Sequence, residues 1–468
     1  MSHVFNTVSQ QPEVGGRELN DPKPSRHRVL IVGGGSIGER HLRCFLETGR
    51  AAVAMCEQNV ERLAQLAVAY PLTGAYRDFT AIGLGAFDAV VICVYADLHV
   101  PYALRAIEAG AAVLVEKPLS TSLEGLDALE AAALRHQRPV AVAHVRRATR
   151  AGSRIKHAVV SGRIGDVLAL TWTLGYDHRL ARPDYRSTYW SRRDQGGGVV
   201  LDVSPHSSNY IVWLLGPAKS VMAVHDHLQI EETECEDTLA YILRFHRNPA
   251  VATVHCSAWQ AHRSDLLTLH GTTGTLVYDG TTGRLGIAER GGPWDWIDGL
   301  NGAPHSRGQV DEPFVIQAAN FLDAMEGKAP LLSPLADGVH TMAICSAVYQ
   351  SGLRHAEVLL PLQHEPVTHS PRPGHRPTDD GARMAFSLPT SSGARRRRPC
   401  WAEAVDAMKP PAPWFFSHRT SRPTLPEQYS VSTADGRRGE RVTVTSPPEI
   451  HPHPFCMKYN STTTPHER

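Results

Sequence analysis

The stretch VLIVGGGSIGERHL, residues 29–42, constrains the fold of this chain more than any other. An apolar, β-branched run stops at Gly33, and Gly33, Gly35 and Gly38 then follow in G-x-G-x-x-G spacing at the head of a helix-like segment. Each glycine answers a steric demand of a strand-turn-helix unit: a tight turn, close approach of the backbone to a pyrophosphate, and close packing of the helix on the strand. Ser36 and Ile37 fall at the helix N-terminus, where backbone N–H groups and the helix dipole favour a phosphate.

A Gly-rich turn alone is a weak signal, and the residues around it strengthen it. From Val29 to about Val142 the runs VLIVG, AAVAMC, DAVVICV, AAVLVE and PVAVA alternate with helix-like segments. That alternation predicts a doubly wound parallel sheet, its strands apolar on both faces because helices cover both sides. The second strand ends at Cys56-Glu57, about 20 residues past the last glycine, where a carboxylate accepts hydrogen bonds from an adenosine ribose. Glu57 repels a ribose 2′-phosphate and Gln58-Asn59 supplies no cation, so NAD is expected over NADP. Arg62, one turn into the next helix, is the residue that keeps NADP open.

After residue 150 the pattern changes. VLALTWTLGY leads to a polar loop and a helix at residues 203–214, and then SVMAVHDHL, DTLAYILRF, AVATVHCSAWQ, DLLTLHGTTG and TLVYDG follow one another through short turns. These predict a second, α+β domain on a mostly antiparallel sheet. Two helices close it, the second capped at Ser333 with Pro334 at its first position. The expected organisation is a loose leader over 1–26, a Rossmann domain over 27–147, a substrate-binding and oligomerisation domain over 148–365, and a disordered Pro/Ser/Arg-rich tail over 366–468. The run Arg395–Arg398 in that tail reads as a solvated basic stretch.

Composition narrows the partners. A formal net charge of +1 gives no global footprint for nucleic acid or anionic membrane, and no stretch is long and apolar enough to span a bilayer. The eight cysteines form no CxxC pair, and no histidine pattern such as HExxH occurs, so no disulfide framework and no metal is expected. A cytoplasmic protein fits best.

The fifth strand breaks off at Glu116-Lys117-Pro118, and charge at a strand's carboxyl end, where ligands of doubly wound sheets sit, points to function. Asp202 and His206 are four apart on the second-domain helix and would share one face. An imidazole can take an alcohol proton near neutral pH, a carboxylate can orient it, and an ammonium favours a developing alkoxide.

GGGSIG-x-x-H, DAVVICVYADLHVPYALRAIEAGAAVLVEKPLS and GGGVVLDVSPHSSNYIVWLLGP, in this order, resemble the Gfo/Idh/MocA oxidoreductase family over about residues 27–362. The resemblance implies hydride transfer between NAD and a CH–OH or carbonyl carbon of a sugar, inositol or related polyol. It implies His206 as general base or acid, Lys117 as proton relay and electrostatic stabiliser, and Asp202 as partner in the proton network. Tyr95, His99 and Glu116 join the glycine loop and Glu57 as expected cofactor contacts. Two departures limit the carry-over: Val94-Tyr95-Ala96 replaces the family's Thr-Pro-Asn, and Asn209 stands where an acidic residue is frequent.

The Arg- and aromatic-rich loop before the catalytic helix suits a sugar ring and an anionic group, with Arg186, Tyr189, Trp190 and Arg192 as candidates. His144, Arg146 and Asn209 are further candidates for the cleft. Two other functions remain open: a glycoside hydrolase that uses held NAD for transient oxidation, and a nucleotide-sensing regulator without catalysis. The uncovered face of an antiparallel sheet predicts a homodimer or homotetramer.

Overall fold

The computed structural model describes residues 27–301 and 310–360; the expected leader and tail, with Arg395–Arg398, lie outside these. The first sheet has six parallel strands in the order β3-β2-β1-β4-β5-β6, formed by β1 (His27–Val32), β2 (Ala51–Cys56), β3 (Ala75–Tyr76), β4 (Ala89–Ile92), β5 (Ala112–Val115) and β6 (Val140–Val142). This is the doubly wound order, and its switch point lies between β1 and β4. Strands β4, β5 and β6 are buried at every residue, as cover on both faces requires.

Helices α1 (Ser36–Glu47), α2 (Val60–Ala69), α3 (His99–Glu108) and α4 (Leu126–His136) connect these strands. α5 (Arg150–Val160) then leads into the second sheet, whose strands are β7 (Val167–Asp177), β8 (Ala218–Asp226), β9 (Thr238–Phe245), β10 (Val251–Ser257), β11 (Trp259–Gly271), β12 (Gly274–Asp279), β13 (Arg284–Glu289), β14 (Asp295–Ile297) and β15 (Val358–Leu359). They lie in the order β14-β13-β12-β11-β7-β10-β9-β8-β15, antiparallel except for the pair β10 and β7. Burial along β9 alternates strictly, so one face of this sheet is covered and the other is open.

Between β7 and β8 the chain forms α6 (His178–Ala181), α7 (Gly198–Asp202) and α8 (Ser204–Leu215); α9 (Glu312–Met325) and α10 (Leu335–Arg354) follow the sheet. α9 returns to the first sheet, where Phe321 meets Phe45 edge-on at 6.4 Å and shares a core with Val29, Ile31 and Leu42. Each such buried apolar side chain contributes roughly 1.5–3 kcal/mol, which fixes α9 against the first sheet.

The helix expected over 203–214 is α8 (Ser204–Leu215). Two local details differ from expectation. Asp202 does not share that helix but ends α7, because Pro205 lacks an N–H and its ring crowds the preceding turn, so that α8 starts afresh. Ser333 does not cap α10, whose N-cap is Pro334; the Ser333 hydroxyl instead lies 2.9 Å from His144 Nδ1, and its carbonyl accepts the Val142 N–H. Among the described residues no helix is long and apolar enough to cross a membrane.

Candidate active site

The glycine loop leaves β1 with Gly33 at φ +95°, and a Cβ there would stand 2.5 Å from the Cys93 carbonyl oxygen. A Cβ on Gly38 would stand 1.7 Å from the Gly33 carbonyl oxygen, so the first turn of α1 packs directly on the loop. At Gly35 the same position meets open space, and this residue caps α1 without any side-chain hydrogen bond. The free α1 terminus therefore faces a cavity of about 670 Å³ lined by Ser36, Ile37, Glu57, Tyr95, Tyr102 and Trp190 among others. An open cradle over orphan helix N–H groups fits a dinucleotide's pyrophosphate.

Glu57, on the wall of this cavity, is fixed by its own backbone neighbours. Its Oε2 accepts the Gly34 N–H at 2.6 Å and its Oε1 the Asn59 N–H at 2.8 Å, leaving lone pairs for hydroxyls. Arg62, the residue that kept NADP open, donates to the Gly34 carbonyl at 2.8 Å and pairs with Glu39 at 2.6 Å. Its charge is already committed. Deeper in, Glu116 is buried and pairs with His41 at 2.7 Å while accepting the Lys117 N–H at 3.0 Å. Burial alone would raise the Glu116 carboxyl, but the bond to and charge of His41, with Lys117, hold it below the usual range. His99 lies 2.8 Å from the Pro118 carbonyl and 3.0 Å from that of Val94, tying the ends of β4 and β5 together. It is 1 % exposed and braces the loop. Tyr95 is 52 % exposed and lines this cavity and the next, so an aromatic ring occupies the departure from the family pattern.

That adjoining cavity, about 450 Å³, brings Lys117, Asp202 and His206 together. Lys117 Nζ donates to Asp202 Oδ1 and to the Asp202 carbonyl oxygen, both at 2.8 Å. The second bond exists because of the helix break: the His206 N–H turns to Val203, leaving the Asp202 carbonyl free for the lysine. Tyr189 donates to the same Oδ1 at 3.0 Å. Burial raises the Asp202 carboxyl, but Lys117, His178 and Tyr189 outweigh it and hold the group below its ordinary value. For His206, burial and then the charges of Lys117 and Arg146 push the imidazole well below its ordinary range. It is a neutral base, and its Nδ1 has no hydrogen-bond partner among the described residues.

The structure does not bring every expected residue here. Arg146 pairs with Asp265 at 3.2 Å and faces a different cavity. Asn209 is buried between Arg147, which donates to it at 2.8 Å, and Thr341, so it lines neither cavity. Arg192 pairs with Asp194 at the exposed surface and Arg186 with Glu232. Trp190 is a core residue, 1 % exposed and stacked on His178 at 4.0 Å. His144 is held by Ser333. For the charged and hydrogen-bonding side chains among them the physical reason is shared, since each finds a polar partner within the protein, while Trp190 is held by stacking.

Sequence reasoning missed Tyr176, His178 and Arg182, which line the reaction cavity from the end of β7 and from α6 and its C-cap. His178 Nδ1 is 3.1 Å from the Tyr176 hydroxyl, while Nε2 has no partner among the described residues. Burial lowers this imidazole to about 4. The signal was available, since the run Tyr176-Asp177-His178-Arg179 puts polar groups at the end of a long strand. Among the described residues no group of His, Cys, Asp and Glu is placed to hold a metal ion.

The geometry agrees with the comparisons. Residues 27–144 match the oxidoreductase family with an NAD-binding Rossmann fold, and residues 153–277 match the GFO/IDH/MocA C-terminal domain. The chain is 27 % identical over 335 residues to 1,5-anhydro-D-fructose reductase of Ensifer adhaerens, covering 69 % of this chain and 96 % of that one. It is 32 % identical over 191 residues to inositol 2-dehydrogenase 3 of Saccharopolyspora erythraea, covering 40 % of this chain and about half (53 %) of that relative's length. Among solved structures, levoglucosan dehydrogenase in complex with NADH and levoglucosan superposes with a TM-score of 0.64 at 22 % identity, over 72 % of this chain and 100 % of that one. An oxidoreductase from Agrobacterium radiobacter in complex with NAD+, L-tartaric acid and magnesium gives 0.64 at 20 % identity, over 71 % and 98 %; at these identities the likeness concerns the fold. With both family models matched in sequence order and the two-sheet architecture in place, the chain belongs to the Gfo/Idh/MocA oxidoreductase family.

Proposed function

We propose that the chain is an NAD-dependent dehydrogenase or reductase acting on a CH–OH or carbonyl carbon of a sugar, inositol or related polyol. The observation that carries this reading is the meeting of Lys117, bonded to Asp202 at 2.8 Å, with a neutral His206 in one cavity that adjoins the nucleotide cradle. When bound, NAD supplies the hydride acceptor at its nicotinamide C4. The protein supplies the rest. His206 accepts the hydroxyl proton as hydride leaves the carbinol carbon, or returns it in the reverse direction. Lys117 lowers the energy of the developing alkoxide, and Asp202 with Tyr189 holds the ammonium in place. His178 lines the same cavity, its Nδ1 beside the Tyr176 hydroxyl. The named activities of the sugar reductase and inositol dehydrogenase relatives support the substrate class.

Incubating the protein with NAD and a panel of inositols, sugars and sugar acids tests this. NADH should form with at least one member, and a His206→Ala variant should turn over about 10²–10⁴-fold more slowly. Glycoside cleavage without net NADH would overturn the reading in favour of hydrolysis.

Two coarser expectations belong to the same reading. Met222 and Ile242 are neighbours across β8 and β9, and with Val224 and Leu266 they leave an apolar open face on the second sheet. A second copy covering that face makes a homodimer or homotetramer, and light scattering at micromolar concentration should return a multiple of the chain mass. The six described cysteines are free and buried, which suits the reducing cytoplasm.

A further inference from the structure

Glu236 is 2 % exposed and lines neither the nucleotide cavity nor the reaction cavity. A carboxylate so buried is costly unless its oxygens are matched. The matches are made on α7. Glu236 Oε1 accepts the Val200 N–H at 3.0 Å, and the Glu236 carbonyl oxygen accepts the Val199 N–H at 3.0 Å. These are the second and third residues of α7, whose N–H groups a capping side chain ordinarily takes, and the N-cap here is Gly197, which has none. Glu236 supplies the missing cap from the segment that leads into β9. Gly198, at φ +81°, lets the backbone come close enough, since a Cβ there would stand 2.5 Å from Glu236 Oε1.

The cap is itself held. The Tyr349 hydroxyl of α10 donates to the same Oε1 at 3.0 Å, and Arg193, which lies 5.8 Å over the Tyr349 ring, stands 3.5 Å from Oε2. Asp237, next in the chain, is fully buried, and its carboxylate accepts the N–H groups of Leu228, Gln229 and Ile230 at 3.0, 2.7 and 2.8 Å. The Ala258 N–H holds the Asp237 carbonyl at 2.9 Å. At the other end of α7 stands Asp202, whose carboxylate and carbonyl both take the Lys117 ammonium at 2.8 Å. Two acceptors on one residue converge on one nitrogen only while α7 keeps its angle, so a shift of the helix start weakens at least one bond.

We infer that Glu236 is a positioning residue: from outside both cavities it caps α7 and thereby fixes the two Asp202 acceptors that hold Lys117. Its effect on rate rests on the dehydrogenase reading above, whereas its effect on Lys117 does not.

The test separates reach from charge. Glu236→Asp keeps the charge and withdraws the acceptor by one methylene, while Glu236→Gln keeps an oxygen at full reach and removes the charge. Acetylation of the folded protein with a limiting N-hydroxysuccinimide ester, read by peptide mass spectrometry at Lys117, reports how firmly Asp202 holds that amine. Lys117 should label severalfold faster in Glu236→Asp and near the native rate in Glu236→Gln. Leu269→Ala, at a buried position on β11, lowers stability without removing a bond to α7 and should leave Lys117 labelling as it is. With a substrate that yields NADH, kcat should fall about tenfold in Glu236→Asp and largely recover in Glu236→Gln, with NAD affinity kept in both. Native-rate labelling of Lys117 in Glu236→Asp, equal labelling in the Asp and Gln variants, or an equal acceleration in Leu269→Ala would overturn the inference. Because labelling is read without turnover, a failure of NADH formation in the native protein counts against the proposed activity alone.

Discussion

On the nucleotide side of the cleft, the polar side chains singled out in the sequence are tied to the protein itself. Glu57 holds two backbone N–H groups, His99 bridges two carbonyls, and Glu116 is matched by His41 and the Lys117 N–H. On the reaction side, His206 Nδ1 and His178 Nε2 are buried without partners among the described residues, while Asp202 takes bonds from Lys117 and Tyr189 on one carboxylate oxygen. The first arrangement fixes a surface for a ligand that is held unchanged. The second leaves hydrogen-bonding capacity for a group whose protonation changes, with its local cost offset by the rest of the fold.

The largest effect that would break this comparison concerns Lys117. Lys117→Ala removes the counter-ion of a buried carboxylate, so stability should fall by about 3–5 kcal/mol, and turnover by about 10²–10³-fold or more. Adding Asp202→Asn removes the unpaired charge. In denaturant unfolding the double variant should regain most of the lost stability, while steady-state NADH formation stays down. Recovery of turnover in the double variant would mean that the pair serves only packing.

A smaller effect reads the reaction-side histidines directly. Burial holds His178 at about 4, and His206 and His144 are pushed down for the same leading reason. An unfolded histidine titrates near 6.5, so between that value and about 4 the unfolded chain binds more protons than the native one. Stability contributed by these neutral imidazoles is complete above about pH 6.5 and is lost as the pH falls toward their native values. For His178 alone the loss at pH 5 is on the order of 2 kcal/mol. The carboxyls of Asp202 and Glu116 are held low and act in the same direction at more acid pH. The melting temperature should therefore fall from pH 7 to pH 5, and fall with a smaller slope in His178→Gln. An unchanged slope in that variant would remove His178 from the set of buried neutral bases.

What could be read from the sequence follows the same division. The nucleotide half is legible because its contacts are local: a glycine triplet, a strand end twenty residues on, and Glu116-Lys117-Pro118 at the end of β5 act through backbone geometry that short motifs encode. The reaction half is built from β7, α6, α7 and α8, with Phe314 arriving from α9, and of its residues Lys117, Asp202, His206 and Tyr189 stood out, whereas Tyr176, His178 and Arg182 did not. Asp202 and His206 came together for a reason that helical periodicity did not give. Pro205 divides the helix, and the freed carbonyl becomes a second acceptor for Lys117. Arg146 and Asn209 fitted a polar cleft by composition, but Asp265 and Arg147 claim them, and a pairing across 119 or 62 residues leaves no local trace; Arg192 is claimed by Asp194, two residues on.

The smallest effect sharpens the nucleotide side. Glu57 does two things at once: its oxygens accept the Gly34 and Asn59 N–H groups, and its charge stands on the wall of the nucleotide cavity. Glu57→Gln keeps the side chain's length and one carbonyl acceptor while removing the charge. If charge sets cofactor choice, NADP binding should gain about tenfold relative to NAD in a fluorescence titration, a change of about 1.4 kcal/mol, with the fold intact. Arg62 should not add to this gain, because Glu39 and the Gly34 carbonyl hold its guanidinium; freeing it with Glu39→Gln should extend the shift toward NADP further. A Glu57→Gln variant whose NAD-to-NADP ratio equals that of the native protein would reduce the residue to a brace for the glycine loop, and the selectivity would then have to come from the shape of the cradle rather than from its charge.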